Sequence, residues 1–187
     1  ALLYRKSRGL LDYDERMALL IQVVEGQQVG QYYFPQLAGV GYSRNQYRWS
    51  PQIRPEEGFL RLVWGLGTRA VDRVGNDYPR LVALSHPTLT PSSSLQSIRH
   101  YSQQYIDLID LKSNLFRTLP VHEVLGPQVP ALRYIAQIDS DGYIHTMHAN
   151  FIEGDPRSLI LTFDELLRHT DFPGFMRELL AALEGEY

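Results

Sequence analysis

The chain has 187 residues, 44% of them hydrophobic and 21% charged, with a formal net charge of -3, enough for one domain with a filled core or for two small lobes. Its weak acidic balance excludes the broad basic field of a nucleic-acid binder, and no apolar run approaches the roughly 18 residues that cross a bilayer. With no cysteine in the sequence, disulfides, thiolate zinc sites and cysteine nucleophiles are excluded together, as suits a reducing cytoplasm.

Because it begins at Ala1 and stops just past a helical pattern, the chain is expected to be an internal piece of a longer protein. A charged opening, "YRKSRGLLDYDER", leads into "MALLIQVVEG", whose branched apolar run bounded by charge and Gly26 reads as a buried strand. "GQYYFPQLAGVGYSRN" is close enough to be its antiparallel partner, with Pro35 forcing an edge or bulge. "FLRLVWGLG" predicts a third strand, "TRAVDRV" a short helix and "PRLVALS" a fourth strand. The texture changes at "SHPTLTPSSSLQS", rich in Ser, Pro and Thr, which reads as a connection. Residues 1–90 are therefore expected to form one lobe, and residues 91–187 an α+β extension continuous with it.

In that second part "SLQSIRHYSQ" suits a helix, and "QYIDLIDLKSNLFRTLP" a hairpin turning at Lys112-Ser113-Asn114. A second hairpin, "ALRYIAQI" with "YIHTMHANF", turns through Asp139 to Gly142, where glycine takes positive φ cheaply. "SLILTF" is a strand running into Thr162-Phe163-Asp164-Glu165, a capping-box pattern. Thr170 or Asp171, with Pro173, opens the last helix, whose expected apolar face holds Phe175, Leu179, Leu180 and Leu183. The sum is α+β, mainly antiparallel sheets with short flanking helices.

Gly65-x-Gly67-x-x-Ala70 meets the letter of the dinucleotide fingerprint. The next strand follows too soon for a full crossover, and the ribose-binding acid expected about 20 residues on is missing. Two readings stay open: backbone N–H groups of Gly67 to Arg69 facing an anion at a helix start, or a tight turn with Thr68 as an N-cap.

"MALLIQVVEG", "AGVGYSRN", "WGLGTRAVDR" and "LTFDELLRHTDFPGFMRELLAALE", in this order, resemble the nucleotide-binding domain of the phosphoenolpyruvate synthase and pyruvate phosphate dikinase family. The likeness is clearest over residues 17–84 and again near the end. It implies a partial ATP-grasp architecture, in which ATP lies between two α+β lobes. It also implies a parent enzyme, a cytoplasmic ATP-dependent phosphotransferase, that phosphorylates a histidine on a swivelling domain, which passes the group to pyruvate on a third domain. ATP and Mg2+ are the implied cofactors of that parent, with none held tightly by this chain. Phosphohistidine and pyruvate-binding domains of the same parent are the implied partners, without nucleic acid or membrane.

The resemblance places Gln22, Val23 and Val24 at the adenine hinge and makes Arg44, in "GVGYSRN", a phosphate-side cation. A hinge needs a side-chain amide and free peptide groups to read the purine edge, with branched side chains against its face. Gln22 as an ordinary strand amide and Arg44 as a solvated arginine are the bland alternatives. Relatives carry glutamates where this chain has Arg61 and Thr68, and an arginine cannot replace an oxygen ligand of a hard cation. Phosphate-gripping and metal-binding groups of the family fall off both ends, so no catalytic or metal residue is assigned, and the chain alone is expected to be inactive. An interaction or regulatory module that kept the fold without the nucleotide, and a dinucleotide enzyme built on the Gly65 turn, are the alternatives.

Ser85-His86 reads as a loop pair, and His145 and His148, three apart on a strand, point to opposite faces and make a poor metal pair. Asp107, Asp110, Asp139 and Asp141 are expected to keep hairpin edges soluble. Tyr32, Tyr33, Tyr42 and Tyr47 are expected to be core or edge packing.

Overall fold

The structure, a computed structural model, describes residues 2–12, 18–71, 74–91, 93–147 and 155–185. A short helix α1 (Leu2–Ser7) comes first, followed by β1 (Gln27–Val29), β2 (Tyr32–Phe34), β3 (Ala38–Tyr42), β4 (Phe59–Val63), α2 (Thr68–Val71) and β5 (Arg80–Ala83). The second half holds α3 (Leu95–Tyr101), β6 (Tyr105–Asp110), β7 (Leu115–Pro120), α4 (Val121–Val124), α5 (Leu132–Ile135), β8 (Ala136–Ser140) and β9 (Tyr143–His145). It ends with β10 (Leu159–Leu161), α6 (Asp164–His169) and α7 (Phe172–Gly185). The strands form three sheets, in the orders β1-β2-β6-β7, β3-β4-β5 and β10-β8-β9. Every pairing is antiparallel, so the mixed α+β class expected from the sequence is the one observed.

Local chemistry explains the hairpins. Between β6 and β7 the Asp110 carboxylate accepts from the Lys112 N–H at 3.0 Å and the Ser113 hydroxyl at 2.9 Å, and Asn114 takes φ 53. Between β8 and β9, Asp141 and Gly142 have φ of 53 and 79, the left-handed pair that matches strand twist in a two-residue turn. Ser94 caps α3 by accepting from the Ser97 N–H.

The core is built where the sheets face the helices. Phe34 and Trp64 meet edge to face, ring centroids 5.1 Å apart, among buried Val82, Ile106, Leu108 and Leu132. Beyond the end of β4 a side chain replaces a strand: Gln103 Oε1 accepts from the Trp64 N–H at 2.8 Å, and its Nε2 donates to the Trp64 carbonyl at 2.8 Å.

Several expectations change. Residues 18–26 lie in irregular backbone rather than a buried strand, with Ile21 90% and Val23 87% exposed. No strand among the described residues pairs with them, and an extended segment without a ladder neighbour has no means of becoming a sheet. Strand β2, the expected partner, instead joins β1 and β6.

The Thr162–Glu165 capping box does not form. Phe163, at φ 56, occupies the cap position, and Glu165 instead accepts from the Thr146 hydroxyl at 3.0 Å. Both the Thr162 and Phe163 N–H groups donate to the Ile135 carbonyl, which fixes the corner in this unusual conformation.

The core-facing side of α7 is Phe172, Met176 and Leu180, whereas Phe175, Leu179 and Leu183 are exposed. Asp107 and Asp110 are also buried, not solubilising edge residues, and the first half of the expected strand "ALRYIAQI" is helix α5, with only its end in β8. His148 lies outside the described residues.

Candidate functional site

The glycine turn is bolted in place by its neighbours. Gly65 has φ 94, and a Cβ there would stand 2.5 Å from Ile106 Cγ1 and 2.7 Å from the Asp107 carbonyl oxygen, so only glycine fits. Its N–H donates to the Pro35 carbonyl, and the Leu66 N–H donates to the Asp107 carbonyl at 2.9 Å. Strands β4 and β5 on either side of α2 are antiparallel neighbours, Phe59 opposite Ala83. A dinucleotide fold needs parallel strands there, so that reading is excluded by topology.

Side chains around the turn are committed inward. Thr68 is the first helical residue rather than an N-cap, and its hydroxyl donates to Asp107 Oδ2 at 2.6 Å, while the Thr118 hydroxyl donates to Oδ1 at 2.5 Å. Arg69 Nη1 donates to Asp77 Oδ2 at 3.1 Å. Its Nε stands 3.1 Å from Asp107 Oδ2, an ion-pair distance without the alignment of a hydrogen bond. Asp77 also accepts from the Gln104 and Tyr105 N–H groups. One buried cation between two buried carboxylates leaves the arginine beside the turn unavailable to an incoming anion.

Arg61 is likewise occupied. Its Nη1 donates to the Val71 carbonyl at 2.7 Å and its Nη2 to the Tyr47 hydroxyl at 3.1 Å, with the Tyr42 and Tyr47 ring centroids 5.9 and 5.6 Å away. Here the arginine joins β4 to α2 and stacks on aromatic faces. The two tyrosines, expected only to pack, thus also face a cation.

Gln22, Val23 and Val24 are exposed, and the Tyr33 hydroxyl on β2 donates to the Val24 carbonyl at 3.1 Å, tethering the end of the segment. Arg44, just past β3, has a side chain 80% exposed, with Nε 3.9 Å from Glu184 on α7. None of these four residues lines either of the two cavities found beside α3.

Ser85 accepts from the Arg54 N–H and His86 pairs back to Ala83 in a turn, the loop setting expected of that pair. Among the described residues no group of three or more His, Asp or Glu converges on a point where a metal could sit. Asp77 and Asp107, the buried carboxylates nearest the turn, share Arg69 and have their oxygens taken up by the Thr68 and Thr118 hydroxyls and the Gln104 and Tyr105 N–H groups, so this donor set does not fit Mg2+. Also among the described residues, no helix is long and apolar enough to cross a membrane.

Sequence reading missed a second charged cluster. Arg80 on β5 reaches Asp164 at the start of α6, Nη2 to Oδ1 3.3 Å, and Arg168 reaches the other oxygen of the same carboxylate at 3.1 Å. The only signal for it in the sequence is the i,i+4 spacing of Asp164 and Arg168.

A family model described as pyruvate phosphate dikinase, AMP/ATP-binding domain, matches residues 1–156. Searches of curated proteins and of solved structures each return no match.

Proposed function

Since the chain belongs to the pyruvate phosphate dikinase AMP/ATP-binding domain family, we propose that it supplies the adenine-side wall of the ATP site in a phosphoenolpyruvate synthase-like dikinase. The family match over residues 1–156 carries this reading. Local support comes from the Gln22 segment, which is uncovered by the protein's own side chains and anchored at one end by Tyr33. In this reading the Gln22 amide and the neighbouring peptide groups read the purine edge, Val23 and Val24 lie against its face, and Arg44 stands on the phosphate side. The parent, a cytoplasmic enzyme, uses ATP with Mg2+ to phosphorylate a histidine on a partner domain, and the group then goes to pyruvate on another.

Phosphoryl transfer depends on cations and metal arranged around the moving phosphate. In this chain Arg69 and Arg61 are engaged with protein groups, and the carboxylates nearest the turn do not suit the metal. The isolated chain is therefore inactive, and the parent's Mg2+ ligands belong to other residues.

Isothermal titration of ATP into the parent, with and without Gln22→Ala and Val24→Pro, tests the wall. Affinity is expected to fall about tenfold for the lost amide alone; undiminished ATP binding by both variants would sink the assignment. Incubation of the isolated chain with labelled ATP should leave it unlabelled, and autophosphorylation would disprove its inactivity. A parent that neither binds nor hydrolyses ATP would favour the interaction-module reading, which the structural use of Arg61 supports.

A further inference from the structure

A cavity of about 540 Å³ lies between β5, α3 and the corner joining β10 to α6, within the ~300–1,000 Å³ of small-molecule sites. Its walls are mainly apolar, formed by Tyr78, Leu81, Ile98, Tyr101, Leu161 and Phe163. Tyr78 and Tyr101 meet edge to face with ring centroids 5.0 Å apart. Phe163 is held in the wall by the left-handed corner at φ 56, a conformation rare for a bulky residue and costly unless the surroundings impose it.

One charged residue lines this space. The Arg80 side chain is 16% exposed, its Nη2 is shared with Asp164, and its Nε is buried without a hydrogen-bond partner. Burial lowers the Arg80 pKa, Asp164 raises it and Arg168 lowers it again, yet an arginine keeps its proton in a protein. Arg80 and Arg168 against Asp164 leave the cluster with one positive charge in excess. A buried N–H of a cation with no acceptor is an unmet demand for an anionic oxygen.

We propose that this cavity binds an organic monocarboxylate with an apolar aromatic or branched body, its carboxylate paired with Arg80 and its body against Leu81, Ile98, Leu161 and Phe163. A single negative charge matches the cluster's excess. A polyphosphate would bring more charge than one half-neutralised arginine can balance, into walls that offer little water. The site is separate from the Gln22 wall and goes beyond the proposed nucleotide role, since none of Gln22, Val23, Val24 and Arg44 lines it.

The probe is 2-naphthoate, titrated calorimetrically into the 187-residue chain beside its neutral counterpart 2-naphthalenemethanol. The acid is expected to bind about tenfold more tightly, the increment of a charge-assisted hydrogen bond. Arg80→Met should bring the acid down to the alcohol's affinity. Asp164→Asn, which removes the competing carboxylate, should tighten the acid and leave the alcohol unchanged. Ile98→Trp, which fills the space while keeping the charges, should abolish both. If Arg80→Met does not fold, the acid–alcohol comparison and Ile98→Trp still decide. Equal binding of acid and alcohol, or undiminished binding to Ile98→Trp, overturns the proposal. Excess ATP should not displace the acid; displacement would refute a separate site while leaving the nucleotide reading intact.

Discussion

Arg69 stands between Asp77 and Asp107, with side chains 9%, 3% and 6% exposed. Removing one partner of a buried ion pair costs about 3–5 kcal/mol because the charge left behind is uncompensated. Both carboxylates keep other donors, the hydroxyls of Thr68 and Thr118 on Asp107 and the N–H groups of Gln104 and Tyr105 on Asp77. The loss in Arg69→Met is therefore expected at about 3 kcal/mol, the lower end of that range. Arg44→Ala, by contrast, should stay within about 0.5 kcal/mol, as for surface sites generally. Urea denaturation of the two variants checks the contrast; equal midpoints would show that the buried network is not what holds the glycine turn. The sequence marked Gly65 and Gly67 as a turn before a helix, and that is what they are. It gave no sign that Thr68, Asp77, Asp107 and Thr118 converge, because their meeting depends on the turn after β4 reaching β6 in another sheet, which local periodicity does not encode.

Among the elements, those read correctly share a property: their partners are close in sequence. The hairpins β6–β7 and β8–β9 were legible because turn residues and apolar runs sit within one window. The segment at 18–26 has the same apolar texture but no pairing partner among the described residues, so periodicity alone overestimated it. Helix α7 failed differently. Two apolar stripes run along it, and the sequence cannot say which one meets the core. The structure selects Phe172, Met176 and Leu180, with Leu180 touching the space beside Gly41 and Gly58. Leu180→Ala should cost about 2 kcal/mol, the bottom of the range for core leucines because the residue is only half-buried, whereas Leu183→Ala should stay within about 0.5 kcal/mol. Thermal melts of both variants decide it, and a larger loss at Leu183 would show that the outer stripe is the structural one.

For the molecule as a whole, the strands before and after residue 90 are not segregated, since β1 and β2 share a sheet with β6 and β7. Polar links then tie separate layers: Arg80 to Asp164, 84 residues apart, and Arg177 to the Leu84 carbonyl, 93 residues apart. Such distant pairs are invisible to a linear reading. Arg99 of α3 grips Asp139 of β8 through both carboxylate oxygens. That hydrogen bond and charge hold the Asp139 carboxyl below its ordinary pKa, outweighing the opposing effect of burial. A carboxyl with a lowered folded pKa stabilises the protein above its unfolded value of about 3.9, and the contribution disappears as pH falls through the folded value. The acid limb of a stability profile measured by urea midpoints should therefore be steeper for the native chain than for Arg99→Met, the two converging at the lowest pH. Parallel limbs would rule out this pair as a source of acid sensitivity.

The Gln103 amide has one more effect. By meeting both peptide groups of Trp64, it completes the backbone of a fully buried residue at the end of a central strand, one step past the last pairing of β4 with β3 at Val63. A buried peptide group left without a partner costs about 1–3 kcal/mol, so a single glutamine lets the strand end inside the core where no neighbouring strand continues.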